Sequence, residues 1–258
     1  MDHSLNGIKA VFLDLDGTIY LGNELIDGAV EFLNRCDERG VQRFFLSNNS
    51  SKSVTEYLAK LHGLGIPAKA NDVLLSTHDL ISWLGAEDVT ETYLVGTEGM
   101  RSMLEDVGVS TRSSEPQYVV LGYDTQIDYE KLATASIHLH SGVPLVASHP
   151  DMVCPSLDGG LPDVGAYLAL FKATTGVEPS HICGKPNAGM ILHKIEELGL
   201  QPSDCAIVGD RVYTDLEMAA RAGVVGVLVL SGEATLDDLE MAPQTPDVIA
   251  DSVANLFF

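Results

Sequence analysis

Basic side chains are scarce in this 258-residue chain: 15 Lys and Arg stand against 37 Asp and Glu, a formal net charge of −22. Nucleic acids and anionic membrane surfaces are held by a cationic footprint, so both are excluded as partners. Long apolar runs are missing too, and no stretch approaches the ~18 consecutive apolar residues of a membrane-spanning helix. Met1-Asp2-His3-Ser4 has neither the basic start nor the apolar stretch of a signal peptide, which points to a cytoplasmic protein. The cysteines Cys36, Cys154, Cys183 and Cys205 lie far apart with no C-x-x-C pair. That spacing excludes a disulfide framework and a thiolate zinc site. The pair His138-Leu139-His140 has no partner motif nearby and is not read as a metal site.

What is present describes a folded chain. Hydrophobic residues make up 45% and mean hydropathy is +0.13, unlike chains too polar to build a core. The acids are dispersed, not massed in a tail, which is the distribution of a solvated anionic surface. The composition resembles that of halophilic proteins, so function in concentrated salt is an expectation.

Short apolar runs alternate with amphipathic stretches along most of the chain. Strands are predicted at 8–13, 42–46, 73–75, 93–95, 118–121, 144–147, 206–208 and 225–229. Helices are predicted at 27–40, 53–62, 77–84, 98–107, 129–140, 164–175, 188–198 and 216–222. Continuous apolar strands of this kind are buried on both faces in parallel sheets, which predicts a doubly wound α/β fold. Open sheets of that type bind ligands beyond the carboxyl ends of their strands. Two strings imitate nucleotide loops and are set aside. Gly63-Leu64-Gly65-Ile66-Pro67-Ala68 follows a helix and not a strand, and Gly184-Lys185-Pro186 lacks the rest of a P-loop.

Three apolar runs end directly in polar clusters. Asp14-Leu15-Asp16-Gly17-Thr18 places two carboxylates two residues apart at a strand end, where they face one side and repel each other unless a cation lies between them. A plain Asp/Gly turn is the alternative; the EF-hand spacing is absent. Gly209-Asp210 and Asp215 form a second acidic cluster, in which Asp215 could equally serve as a helix cap. Together the two clusters describe an oxygen-ligand site for a hard cation such as Mg²⁺. Ser47-Asn48-Asn49 supplies a hydroxyl and amides suited to phosphate oxygens, or an ordinary helix cap. Lys185, held between Gly184 and Pro186, is either a fixed cation that stabilises phosphoryl charge or a solvated lysine.

In this order, Asp14-Leu15-Asp16-Gly17-Thr18-Ile19-Tyr20, Phe45-Leu46-Ser47-Asn48-Asn49-Ser50, Gly184-Lys185-Pro186 and Gly209-Asp210 with Asp215 resemble the four motifs of the haloacid dehalogenase (HAD) superfamily. They look most like its NagD-like, 4-nitrophenylphosphatase-like subfamily. The resemblance implies a HAD-like catalytic core at 1–78 plus 181–258, with an inserted, substrate-selecting α/β cap at 79–180. It implies Asp14 as nucleophile and Asp16 as general acid and base. Mg²⁺ would be held by Asp14, the Asp16 backbone carbonyl, Asp210 and Asp215, with Ser47 and Lys185 on the phosphoryl oxygens and Asn48 and Asn49 close to substrate. A cap loop would cover Ala147-Ser148-His149-Pro150-Asp151-Met152-Val153-Cys154-Pro155, with His149 and Asp151 as substrate contacts. Ser148-His149 stands where the family's usual form is Thr-Asn. Some vitamin B6-phosphate phosphatases of the family carry a His at the position aligned with Cys154, so that substrate is not favoured. Cap-mediated dimers recur in the family, which implies a homodimer.

The expected function is Mg²⁺-dependent hydrolysis of a small phosphorylated metabolite: phosphoglycolate, a sugar phosphate, a nucleotide or 4-nitrophenyl phosphate. One alternative is a phosphotransferase or phosphomutase that passes the phosphoryl group to another alcohol. A second, of another class, is a phospho-accepting receiver domain, which needs only about half this length and no cap. A non-catalytic binding protein is a third alternative, disfavoured because no motif residue is missing.

Overall fold

A computed structural model of the chain describes residues 4–154 and 159–258. In chain order its strands are β1 (Ala10–Asp14), β2 (Tyr20–Leu21), β3 (Glu24–Leu25), β4 (Gln42–Ser47), β5 (Val73–Leu75), β6 (Thr92–Val95) and β7 (Tyr118–Leu121). They continue with β8 (Leu145–Ala147), β9 (Val153–Cys154), β10 (Leu161–Pro162), β11 (His181–Ile182), β12 (Cys205–Gly209), β13 (Val225–Val229) and β14 (Val248–Ala250). The helices are α1 (Ala29–Arg39), α2 (Val54–Gly63), α3 (Ser76–Ala86), α4 (Glu98–Asp106) and α5 (Tyr129–His140). After them come α6 (Val164–Thr175), α7 (Gly189–Glu197), α8 (Glu217–Ala222) and α9 (Asp238–Met241). Among the described residues no helix is long and apolar enough to cross a membrane.

The described residues of Met1–Ser47, Leu58–Leu74 and Lys185–Phe258 form one compact unit; those of Asn48–Tyr57 and Leu75–Gly184 form a second. The sequence places the boundaries at 78/79 and 180/181 and keeps 48–57 with the first unit. That segment groups with the second because its polar groups bond there. Ser50 Oγ accepts the Tyr123 N–H at 2.8 Å, Ser76 Oγ donates to Asn48 O at 2.7 Å, and Thr97 Oγ1 donates to Ser51 O at 2.7 Å.

The first unit is built on a six-stranded sheet of order β14-β13-β12-β1-β4-β5. The pairings β1–β12, β1–β4, β12–β13 and β13–β14 are all parallel. Every residue of β1 and β12 is buried, which is why both read as unbroken apolar runs. On one face Phe12, Phe44, Leu46 and Ile207 pack with Met190, Ile191 and Met218. The Phe12 and Phe44 rings stack at 5.3 Å. Truncating Phe12 to alanine would cost about 3–5 kcal/mol. From β1 the chain builds outward through β4 to β5, and later returns to β12 on the other side. The carboxyl ends of β1 and β12 are therefore the topological switch point, where open sheets bind ligands.

The second unit carries a parallel sheet of order β11-β8-β7-β6. Alternate residues of its strands enter opposite cores, as strand geometry requires. Val120 and Val146 join Leu80, Leu84 and Met100, whereas Val119, Leu121 and Leu145 join Leu139 and Phe171. An antiparallel ribbon of β9 and β10 precedes α6.

Two differences from the sequence expectation bear on the site. The turn region after Asp14 contains the short β2–β3 ribbon. The helix predicted from Leu216 is preceded by a π-helical stretch, Val212–Leu216, before α8 proper begins. A wider turn cannot be read from a 3.6-residue apolar period, and such stretches often mark functional sites.

Candidate active site

β1 is apolar until its last residue and then delivers a carboxylate: Asp14 closes the strand, buried at 8% exposure. The chain turns at once, with the Ile19 N–H and Tyr20 N–H donating to Leu15 O at 2.9 and 3.1 Å and the Gly17 N–H to Tyr20 O at 2.8 Å. Asp16 lies in this turn, exposed and bridged to Tyr20. Gly17 sits at φ +87°, and a Cβ there would fall 2.2 Å from Asp210 Oδ2; one at Gly232 would fall 1.9 Å from the same atom. Bare backbone at both positions makes room for the Asp210 carboxylate.

β12 ends at Gly209, and Asp210 follows, 2% exposed. Its Oδ2 accepts the Glu233 N–H at 2.7 Å, while Oδ1 is buried with no protein hydrogen-bond partner. The π-helical stretch turns Asp215 back so that Oδ2 accepts the Arg211 N–H at 3.2 Å. Asp215 Oδ1 accepts from Lys185 Nζ at 2.8 Å, and the same Nζ donates to Asp14 Oδ1. Lys185 is 3% exposed and Asp215 fully buried, so this is a dry charge cluster and not a surface ion pair. Arg211 borders it, with Nε 3.0 Å from Glu233 Oε2. Ser47 closes β4 one residue past the Asp14↔Leu46 pairing and is buried.

Burial alone would push the Lys185 ammonium down, but the carboxylates of Asp14 and Asp215 outweigh it and hold the group above the usual lysine range. Burial, reinforced by the negative charges of Asp14 and Asp215, pushes the Asp210 carboxyl up to about 7. Burial also raises Asp215, against the opposing pull of Lys185. Carboxylate oxygens of Asp14, Asp210 and Asp215 lie within 4.8 Å of one another. Asp14, Asp210, Asp215 and Glu233 share two cations, Lys185 and Arg211, and Asp210 Oδ1 has no protein hydrogen-bond partner. An all-oxygen donor set with that deficit fits a hard divalent cation.

The remaining predicted residues belong to the second unit. Asn48 Nδ2 donates to both carboxylate oxygens of Asp151 at 3.2 Å. Asn49 Oδ1 accepts from Ser51 N–H at 2.9 Å and Ser51 Oγ at 2.6 Å, a local turn. His149 is fully buried, with Nδ1 3.0 Å from Ser148 Oγ and Nε2 3.0 Å from Asp163 Oδ1. Pro155 lies outside the described residues. Sequence reasoning passes over Arg211, Glu233 and Asp163. Arg211 adjoins a motif aspartate, and Ser231-Gly232-Glu233 follows β13 at the same sheet edge, so the strand-end rule that found Asp14 and Asp210 applies to it as well.

Known proteins resemble the chain along most of its length. A family model described as haloacid dehalogenase-like hydrolase matches residues 11–110, and one described as HAD-hydrolase-like matches 182–256. An acid sugar phosphatase of Staphylococcus aureus is 33% identical over 234 residues, 90% of each chain. The structure of a 4-nitrophenylphosphatase from Thermotoga maritima superposes with a TM-score of 0.92 at 36% identity, covering 96% of this chain and 95% of that one. NagD from E. coli K-12 superposes with a TM-score of 0.89 at 26% identity, covering 97% and 98%.

Proposed function

The chain belongs to the haloacid dehalogenase-like hydrolases, in their NagD-like group of phosphatases, and from that membership we propose a Mg²⁺-dependent phosphomonoesterase that works through an aspartyl-phosphate. The observation that carries the reading is the convergence of Asp14, Asp210 and Asp215 on buried Lys185 at the switch point, with one Asp210 oxygen unpartnered. The second unit is read as the substrate-selecting cap.

In this reading Lys185 holds Asp14 by Oδ1 and leaves Oδ2 for attack on phosphorus. The new O–P bond forms as the ester P–O bond breaks, and Asp16 gives its proton to the departing alcohol. Asp16, now a carboxylate, takes a proton from water. The resulting hydroxide attacks the aspartyl-phosphate, releasing orthophosphate and restoring Asp14. Exposure of Asp16 suits a group that must meet both alcohol and water. Ser47 and the Lys185 ammonium bind phosphoryl oxygens. Asp14, Asp210, Asp215 and the Asp16 carbonyl would hold Mg²⁺, which when bound would offset repulsion between carboxylate and phosphate.

The substrate is a small phosphorylated metabolite. The names carried by the relatives put sugar phosphates and aryl phosphates first in a panel that also includes phosphoglycolate and nucleotides. The test is phosphate release from 4-nitrophenyl phosphate with and without Mg²⁺, repeated with Asp14→Asn. Turnover in the wild type, lost without Mg²⁺ and lost in a folded Asp14→Asn variant, is expected. An active Asp14→Asn enzyme overturns the mechanism.

A further inference from the structure

We propose that His149 and Asp163 are positioning residues: a buried clamp that closes the base of the loop running from β8 to α6 and so presents Asp151. The proposal rests on the phosphatase reading above.

The excursion leaves β8 at Ala147 and returns at Asp163, the residue that caps α6 by accepting the Val164 N–H at 2.7 Å. His149 and Asp163 join across the two ends at 3.0 Å, the histidine fully buried and Asp163 4% exposed. Two backbone bonds lie beside them. The Asp163 N–H donates to Met152 O at 3.2 Å and the Gly165 N–H to Asp151 O at 2.8 Å. A Cβ at Gly165 would fall 2.5 Å from Pro150 O, so glycine permits this close approach. The Asp151 backbone is thus fixed by the first turn of α6 and its carboxylate by Asn48.

The clamp has a direction. The Tyr123 N–H can only donate, and it donates to Ser50 Oγ at 2.8 Å. Ser50 Oγ lies 2.9 Å from Ser148 Oγ, which lies 3.0 Å from His149 Nδ1. At the far end the Asp163 carboxylate can only accept. With both ends fixed, one arrangement satisfies every member: Ser50 donates to Ser148, Ser148 to Nδ1, and Nε2–H to Asp163. Burial of both ring nitrogens in this chain makes His149 a support for the loop and not a group offered to substrate.

With the second unit read as the substrate-selecting cap, a clamp that acts on this loop alone is expected to alter recognition of the alcohol part of the ester. It leaves untouched the phosphoryl site formed by Asp14, Ser47 and Lys185. His149→Asn keeps a group near Nδ1 but cannot reach Asp163; Asp163→Ser keeps the α6 cap but cannot reach His149; His149→Gln keeps a donor near Nε2. For the sugar phosphate best hydrolysed by the wild type, KM is expected to rise about tenfold to a hundredfold in His149→Asn and in Asp163→Ser, the loss of one charge-assisted bond. kcat and the inhibition constant of orthophosphate stay within about threefold, the double variant is no worse than either single one, and His149→Gln stays near wild type. If His149→Asn fails to fold, Asp163→Ser reads the same effect. Unchanged KM in the folded variants overturns the clamp, as does a parallel rise in the orthophosphate constant or a Gln variant as impaired as Asn. A wild type that hydrolyses no phosphate ester fails the phosphatase reading itself, before any variant is compared.

Discussion

Replacing Asp210 by asparagine is expected to stabilise the protein in chelator while destroying its activity. The Asp210 carboxyl is pushed from its ordinary 3.8 up to about 7 by burial and by the charges of Asp14 and Asp215. A raised acid binds its proton more tightly folded than unfolded. It therefore costs no stability below about pH 4, costs progressively more as pH climbs towards 7, and exacts its full cost above that. Three pH units correspond to about 4 kcal/mol. Because neighbouring acids share the proton, about 2–4 kcal/mol is the expected cost at pH 8. Asparagine keeps an acceptor for the Glu233 N–H and carries no charge. In EDTA at pH 8, Asp210→Asn is expected to melt roughly 4–15 °C above wild type, at about 2–4 °C per kcal/mol for a chain of this size. At pH 4.5 the gap narrows to about a quarter of that. Adding Mg²⁺ at about a thousandfold excess over its Kd returns about 4.1 kcal/mol to the wild type and far less to the variant, reversing the order. Differential scanning fluorimetry over pH, with EDTA or Mg²⁺, reads all of this. A variant less stable than wild type in EDTA at pH 8, or a gap independent of pH, would refute the charge-excess account of the site.

Lys185→Met leaves buried acids without their counter-charge and is expected to cost about 3–5 kcal/mol in urea unfolding at pH 7.5 with EDTA, besides abolishing turnover. A lysine held above its ordinary 10.5 contributes its stability in full below that pH, so neutral buffer reads the whole effect, and equal urea midpoints for both proteins would contradict it. Asp16→Asn is expected to slow turnover about 10²–10⁴-fold. With 4-nitrophenyl phosphate, whose leaving group departs as a stable anion, it should release one rapid equivalent of nitrophenol before the slow steady state; a rapid-quench trace without a burst contradicts the two-step role. The net charge of −22 opposes the approach of an anionic ester, and at 1 M salt the Debye length is roughly 3 Å. KM is therefore expected to hold or fall as KCl rises to molar levels, and a steep rise contradicts a site whose attraction for phosphate is local.

The parts of this site that were legible in the sequence are local. Asp14 and Asp210 each follow a run of buried strand residues, and the switch-point rule brings the ends of two adjacent parallel strands together without any coordinates. Lys185 was legible as a fixed cation, but its bond to Asp14 spans 171 positions and is made by the fold alone. The π-helical stretch before α8 was illegible because an apolar period of 3.6 does not register one wider turn, although that turn swings Asp215 onto Lys185. The resemblance puts residues 48–57 with the core, whereas in the folded chain they group with the second unit, where Ser50, Ser76 and Thr97 make hydroxyl bonds that leave no pattern in a sequence. His149 reads as a substrate contact only through the resemblance of its segment to the family's cap loop. Its partner lies 14 positions away and both are buried, so what fills the ring's bonds is visible only in the folded chain. The acidity shows the same division between global and local. A −22 chain repels phosphate everywhere except where specific groups reverse the sign. Lys185 faces Asp14 and Asp215, and Arg211 pairs with Glu233, so in the proposed reading a bound cation supplies the rest of the local positive charge. On that reading, affinity for the ester is expected to fall when the metal is removed with chelator and not to be abolished by dilution of the salt.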